Sequence, residues 1–248
     1  MNIISVKNYQ EMSKVAAEML IEKLSATGVN VMGLATGGTP EGMYKQLVKL
    51  ASERNFSFKD IHTVNLDEYV GLSDEHPNSY HTYMRNHLFD HIDIPDANTH
   101  LPNGLAENLD GECERYEKMI TDLEQVNIQL LGIGANGHIG FNEPGTSFNS
   151  KTQVVQLAES TREANARFFE NEAEVPTHAI TMGIQTIMES KEIVLLASGS
   201  SKAEALYELI CGKQVTEKVP ATVLQRHPNL TVIADEEALH LVNSVQHS

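Results

Sequence analysis

Apolar positions along the chain fall into two rhythms. Short aliphatic runs at 2–6, 30–36, 61–66, 126–133, 177–182, 192–197, 220–224 and 230–234 have the length and branching of strands. Between them the apolar residues recur at three and four. Met12, Val15, Ala16, Met19, Leu20 and Leu24 mark one face of a helix over 9–24. Further helices are expected from Pro40 through Leu50, from Pro77-Asn78-Ser79 to about Phe89, over 108–125 and over 203–211. A turn is expected at 101–104 and a short strand at 151–157. Residues 159–176 are charged and helix-prone.

Strands therefore alternate with helices almost throughout, with no repeat, low-complexity run or linker. The alternation predicts one α/β domain over 1–242: a Rossmann-like, open, mostly parallel sheet with helices on both faces. Residues 243–248 read as a polar tail.

The richest stretch is 130–148, LLGIGANGHIGFNEPGTSF. Its strand-like start opens into five glycines, which let the backbone take positive φ and approach a ligand closely. Asn136, His138, Asn142 and Glu143 stand in that loop with no apolar periodicity to bury them. Open α/β sheets bind ligands where a strand ends in such a loop.

Three other strand ends carry chemistry. The run over 30–36 leads into Gly37-Gly38-Thr39-Pro40-Glu41. There Thr39 is the expected N-cap, Pro40 the first helical residue, and free N–H groups at the helix start suit a phosphate. The run over 61–66 ends in Asp67-Glu68-Tyr69, two carboxylates of which either is a candidate general base. The run over 192–197 ends in Ser198-Gly199-Ser200-Ser201-Lys202, a second corner suited to an anion. The stretch 150–176 is a candidate lid, and Arg162 or Arg167 on it is placed to clamp a phosphate.

Composition narrows the partners. Hydrophobic content of 41% and charged content of 21% are ordinary for a globular protein, and the net charge is −16. That charge argues against nucleic acid or an anionic membrane as partner. No run is long enough for a membrane span, the N-terminus lacks the order of a signal peptide, and a cytoplasmic location is expected. Cys113 and Cys211 have no metal or redox spacing. His87 and His91 lie four apart without a third ligand, so no metal is assigned. The Gly37-Gly38 turn is not the dinucleotide fingerprint, and no cofactor is expected. Anion donors at two corners around carboxylates and an imidazole suit proton transfer on a small phosphorylated molecule.

Four motifs carry a family resemblance. They are Ala35-Thr36-Gly37-Gly38-Thr39-Pro40, Asn65-Leu66-Asp67-Glu68-Tyr69-Val70-Gly71-Leu72, Gly137-His138-Ile139-Gly140-Phe141-Asn142-Glu143-Pro144 and Ser198-Gly199-Ser200-Ser201-Lys202-Ala203. In this order the chain resembles the glucosamine-6-phosphate deaminases. The resemblance implies conversion of glucosamine 6-phosphate and water to fructose 6-phosphate and ammonia. It implies that His138, supported by Asn136 and Glu143, assists ring opening, and that Asp67 moves the C2 proton to C1. It places the substrate phosphate on Gly37, Gly38, Thr39, Arg167 and Lys202.

Two departures from the regulated members of that family matter. Those members carry aspartate where Asn136 stands, and an arginine and a lysine for an N-acetylglucosamine 6-phosphate effector where Gln153 and Val155 stand. The chain also stops short of their C-terminal extension. The expectation is an enzyme without that activation, a monomer or small homo-oligomer rather than a hexamer. The alternatives are a 6-phosphogluconolactonase-like hydrolase and a non-catalytic sugar-phosphate sensor.

Overall fold

In the computed structural model, which describes residues 1–26 and 28–246, strands and helices alternate as the apolar rhythms predict. The strands are β1 (Asn2–Val6), β2 (Val31–Leu34), β3 (His62–Asn65), β4 (Asp67–Tyr69), β5 (Thr99–His100), β6 (Ile128–Leu131), β7 (Gln153–Gln156), β8 (His178–Thr181), β9 (Glu192–Ala197) and β10 (Leu230–Asp235). The helices are α1 (Tyr9–Leu24), α2 (Gly38–Glu53), α3 (Tyr80–His87), α4 (Leu109–Asp122), α5 (Glu159–Asn165), α6 (Ile184–Met188), α7 (Ala203–Cys211) and α8 (His240–Gln246). α8 enters the segment read as a polar tail, whose residues 247–248 lie outside the described residues.

Seven strands form one sheet in the order β1-β10-β9-β6-β2-β3-β5, and every pairing is parallel. Successive side chains on a strand face opposite ways. In β6 and β9, Leu130 and Val194 join one apolar cluster, and Leu131 and Leu195 the other. The first cluster packs against α1, α2 and α3, the second against α4, α6, α7 and α8. Burial on both faces explains why these strands read as continuous apolar runs rather than alternating ones. α1 and α2 form ends as chemistry demands: the Asn8 side chain caps α1 by accepting from Glu11 N, and Pro40 lies in the first turn of α2, where no N–H is needed.

From β2 the chain goes outward through β3 to β5, then returns to the other side of β2 as β6. The switch point lies between β2 and β6. The C-terminal ends of the four neighbours β9, β6, β2 and β3 lead into all four motif-bearing segments, in the crevice that such sheets use for ligands.

The stretches at 151–157 and 177–182 do form strands, but not in this sheet. β7 and β8 pair antiparallel, and β8 pairs antiparallel with β4, making a separate three-stranded sheet. Leu66 joins the two layers: its N–H donates to Leu34 O at 3.0 Å, and its carbonyl accepts from Met182 N at 2.7 Å. Asp67-Glu68-Tyr69 is therefore a strand in its own right, swung over the ends of the large sheet.

The strand expected at 220–224 is instead a 3-10 helix, Pro220–Arg226. Pro220 lacks an N–H for a ladder, and Thr222 Oγ1 donates back to Val219 O at 2.7 Å. The run is buried because it packs on the second cluster, and its Ala221 N–H donates to Gly137 O at 2.8 Å. A short buried apolar run does not by itself distinguish these states. β5 was not anticipated; two residues carry no periodicity. In the stretch 159–176 regular helix ends at Asn165 and short 3-10 turns follow.

Candidate active site

The first corner is built by α2. Gly37, not Thr39, occupies the N-cap position, with φ +90° and no side-chain cap. That left-handed backbone is open to glycine and leaves the first N–H groups of α2 unclaimed by a cap. Two tyrosines hold the turn: Tyr83 Oη donates to Gly37 O at 2.7 Å, and Tyr9 Oη donates to Gly38 O at 2.8 Å. Across the turn, a Cβ on Gly38 would stand 4.0 Å from Nη2 of Arg167.

Lys202 completes the corner. Burial and the neighbouring Arg167 charge push its ammonium below the ordinary lysine value. Among the described residues neither cation has a carboxylate within ion-pair distance. An anion between them would remove the repulsion, so two cations beside a helix N-terminus form a corner suited to an anion. Arg162, the alternative clamp, is occupied within its own segment, where its Nη2 donates to Val175 O at 3.1 Å. The second corner is partly filled as well. Asp235, at the end of β10, accepts from Ser198 Oγ at 2.5 Å and from Gly199 N at 3.0 Å. Only the Ser200–Lys202 turn of that corner stays open to a ligand.

The loop after β6 carries the imidazole. Gly134 N donates to His138 O at 2.9 Å, so the loop turns back on itself and the ring lies over Gly134. Asn136 braces it twice: Oδ1 accepts from His138 N at 3.1 Å, and Nδ2 donates to Glu143 Oε2 at 2.8 Å. The same Oε2 lies 3.4 Å from His138 Nδ1. Burial pushes the Glu143 carboxyl up, but the adjacent His138 and the Thr161 and Asn136 donors outweigh it and hold the pKa down at about 2. A carboxylate that stays charged beside Nδ1 favours the tautomer with its proton there, leaving Nε2 to accept. Asn142, by contrast, is fully buried, its Nδ2 donating to Ile139 O and Met182 O at 2.9 Å; it pins the loop to the residue that follows β8. A Cβ on Gly134 would overlap the His138 ring. Gly134→Ala is expected to lower kcat by about 10- to 100-fold while KM moves less than threefold, because the cationic corner at the start of α2 is untouched.

Asp67 and Glu68 have opposite environments. Glu68 turns to the start of α3, where its carboxylate accepts from Tyr80 N and His81 N at 3.0 Å and lies 2.7 Å from His81 Nδ1. Asp67, on the other side of β4, accepts no hydrogen bond among the described residues and is 7% exposed. Burial, with the Glu68 charge adding, raises its pKa to about 8. A Cβ on Gly140 would stand 3.7 Å from Asp67 Oδ2 and 3.0 Å from Thr181 Oγ1, so the histidine loop passes directly beside this carboxyl. Gly140 has φ +58°, and Thr181 Oγ1 accepts from Phe141 N at 3.1 Å.

Thr161 and Thr181 were not anticipated. Single threonines carry no pattern, and both act across more than fifteen residues of chain. His87 and His91 do not form a ligand pair: His87 lies 4.3 Å from the Tyr83 ring, and His91 Nε2 bonds Asn86 O at 2.8 Å. Among the described residues no three His, Cys, Asp or Glu side chains gather as a metal set, and no helix is long and apolar enough to cross a membrane.

A cationic corner at a helix start beside a buried high-pKa carboxyl and a braced imidazole, at the switch point of a parallel sheet, is the equipment of an enzyme that acts on a small phosphorylated metabolite. Residues 6–233 match the family of glucosamine-6-phosphate isomerases and 6-phosphogluconolactonases, and the chain belongs to that family. It is 59% identical to glucosamine-6-phosphate deaminase of Shouchella clausii, with 100% of both chains covered. It is 52% identical to glucosamine-6-phosphate deaminase 1 of Bacillus subtilis, over 97% of this chain and 99% of that one. A solved monomeric glucosamine-6-phosphate deaminase superposes with TM-score 0.95 at 52% identity, covering 97% of this chain and 100% of that one. The 6-phosphogluconolactonase of Trypanosoma cruzi, at 20% identity and TM-score 0.75 over 96% of both chains, shares the fold.

Proposed function

We propose that the chain deaminates and isomerises glucosamine 6-phosphate to fructose 6-phosphate and ammonia in amino-sugar catabolism. The observation that carries the chemical step is the environment of Asp67. It is a buried carboxyl with no hydrogen-bond donor among the described residues and a pKa near 8, beside the histidine loop. A base of that strength suits removal of a proton from carbon next to a carbonyl.

The substrate phosphate sits in the cup made by Gly37, Gly38, Thr39, Arg167 and Lys202. His138, oriented by Asn136 and Glu143, accepts the proton from the C1 hydroxyl and returns it to the ring oxygen as the C1–O5 bond breaks, giving the open-chain C1 aldehyde. Asp67 then takes the C2 proton while O1 is protonated, giving an enolamine. It returns the proton to C1 while the nitrogen gives up one proton, so that net one proton moves from C2 to C1 and one from nitrogen to O1. The double bond now lies between C2 and nitrogen; water adds to C2 and ammonia leaves. One carboxyl serves both carbons because they are adjacent and the intermediate is planar between the steps. Asn136 has no proton to exchange, so its part is to hold Glu143 and the loop. Glu68, committed to α3 and His81, does not share the work of Asp67.

Residues 150–176 act as a lid that brings Arg167 to the phosphate. The enzyme works in the cytoplasm as a monomer or small homo-oligomer. Gln153 and Val155 offer no charge to an acetylated sugar-phosphate effector, so saturation curves should superpose with and without N-acetylglucosamine 6-phosphate. An effector-dependent loss of sigmoidicity would reject that part of the reading.

The function is tested by following fructose 6-phosphate and ammonia from glucosamine 6-phosphate with chelator present. Equimolar products support it. Binding without turnover points instead to a sensor, and hydrolysis of 6-phosphogluconolactone to a lactonase.

A further inference from the structure

Glu143 is held from two directions. Its Oε2 faces the histidine loop, with Asn136 Nδ2 at 2.8 Å and His138 Nδ1 at 3.4 Å. Its Oε1 accepts from Thr161 Oγ1 at 2.5 Å, eighteen residues further along. Thr161 belongs to α5, in the segment that six residues later carries Arg167 to the start of α2. It is 7% exposed, so its hydroxyl is shielded from solvent and aimed at the carboxylate.

The rest of the lid segment is anchored elsewhere. Asn165 Nδ2 donates to Tyr69 Oη at 2.9 Å, and Phe169 lies 5.9 Å from the Tyr69 ring, two residues beyond Asp67. Thr161 is therefore the point at which α5 touches the His138–Glu143 pair. The titratable group against Glu143 is His138 of the same loop, and α5 presents the neutral hydroxyl. Glu217, from the segment packed over this loop, is turned to Phe148 N at 3.0 Å.

We propose that Thr161 is a positioning residue whose hydroxyl ties the seating of the 150–176 segment to the orientation of Glu143, and through it of His138. A substrate phosphate that draws Arg167 inward thereby also sets the imidazole for ring opening. The arrangement links phosphate recognition at one end of the substrate to proton transfer at the other. This rests on the deaminase reading above. A hydrogen bond to a charged group in a shielded site is stronger than one between two neutral groups, and it also agrees with the low pKa of Glu143.

The test compares Thr161→Val, Thr161→Ala and Thr161→Ser, alone and with Glu143→Gln, in steady-state deamination with thermal unfolding recorded for each. Thr161→Val and Thr161→Ala should lower kcat by about 5- to 30-fold with KM changed less than threefold, and Thr161→Ser should recover most of the rate. In the Glu143→Gln background the Thr161→Val effect should shrink to less than twofold. An unchanged kcat in both hydroxyl-free variants overturns the proposal, as does equal impairment of Thr161→Ser or an undiminished effect in the Glu143→Gln background. Should the valine variant unfold, the alanine and serine pair decides. Failure of the deaminase reading would look different, since the unsubstituted enzyme would then release no ammonia.

Discussion

Asp67→Asn is expected to abolish nearly all turnover, lowering kcat by about 10³- to 10⁴-fold, while the KM for glucosamine 6-phosphate stays within about threefold. The amide keeps the shape of the carboxyl but accepts no proton, and it is not one of the groups proposed to hold the phosphate. The wild-type kcat/KM should fall on the acid side of about pH 8, where Asp67 becomes protonated in the free enzyme. Turnover in Asp67→Asn within tenfold of wild type would place the base elsewhere.

The same substitution should stabilise the protein at alkaline pH. Asp67 has a folded pKa raised above its unfolded value of 3.8, so the folded state holds its proton more tightly. Its contribution is favourable below about pH 4 and is lost as pH rises toward 8, above which the buried charge opposes folding throughout. Removing the charge should therefore raise the unfolding temperature at pH 9, by about 5–10 °C for a cost on the order of a few kcal/mol, and leave it unchanged near pH 3. An equal change at both pH values would dissociate the effect from this ionisation.

Lys202→Met should act at the other end of the substrate. Methionine keeps the buried stem but removes the ammonium, one of two neighbouring cations with no carboxylate within ion-pair distance among the described residues. KM should rise by about 10- to 100-fold, the range expected for a shielded charged hydrogen bond, and kcat should fall less. Competitive inhibition by inorganic phosphate should weaken in parallel. A variant with normal KM would show that the phosphate binds elsewhere than between Arg167 and the start of α2.

Local chemistry made much of this site legible. Gly37-Gly38 before a helix, a Gly-rich loop with His138 and Glu143, and Lys202 in a small-residue turn all sit at strand ends that periodicity alone locates. Their meaning depends on neighbours one to five residues away, which is the range that sequence patterns report. The fold followed from the same source, because strands buried on both faces need continuous apolar runs and their connecting helices need apolar stripes. The failures were also physical. The run over 220–224 is as apolar as a strand, yet Pro220 and the carbonyl of Gly137, more than eighty residues away, make it a 3-10 helix. Thr39 looked like the cap of α2, but the positive φ of Gly37 starts that helix two residues earlier than Pro40.

By itself the sequence determined most of the alternation of strands and helices, the parallel sheet and the set of residue types gathered at its strand ends. Only the tertiary structure decided which member of each pair faces the site. Asp67 and Glu68 are adjacent in sequence, but strand geometry sends them to opposite sides, and the free N–H groups of α3 claim Glu68. Arg162 and Arg167 share one segment, but Val175 O engages the first and the start of α2 lies beside the second. Asp235 fills half of a corner that its residues alone would leave open. In each case the deciding partner lies far along the chain. Burial and the competition for hydrogen bonds depend on what the fold brings near, whereas helix, strand and turn depend on what is already adjacent.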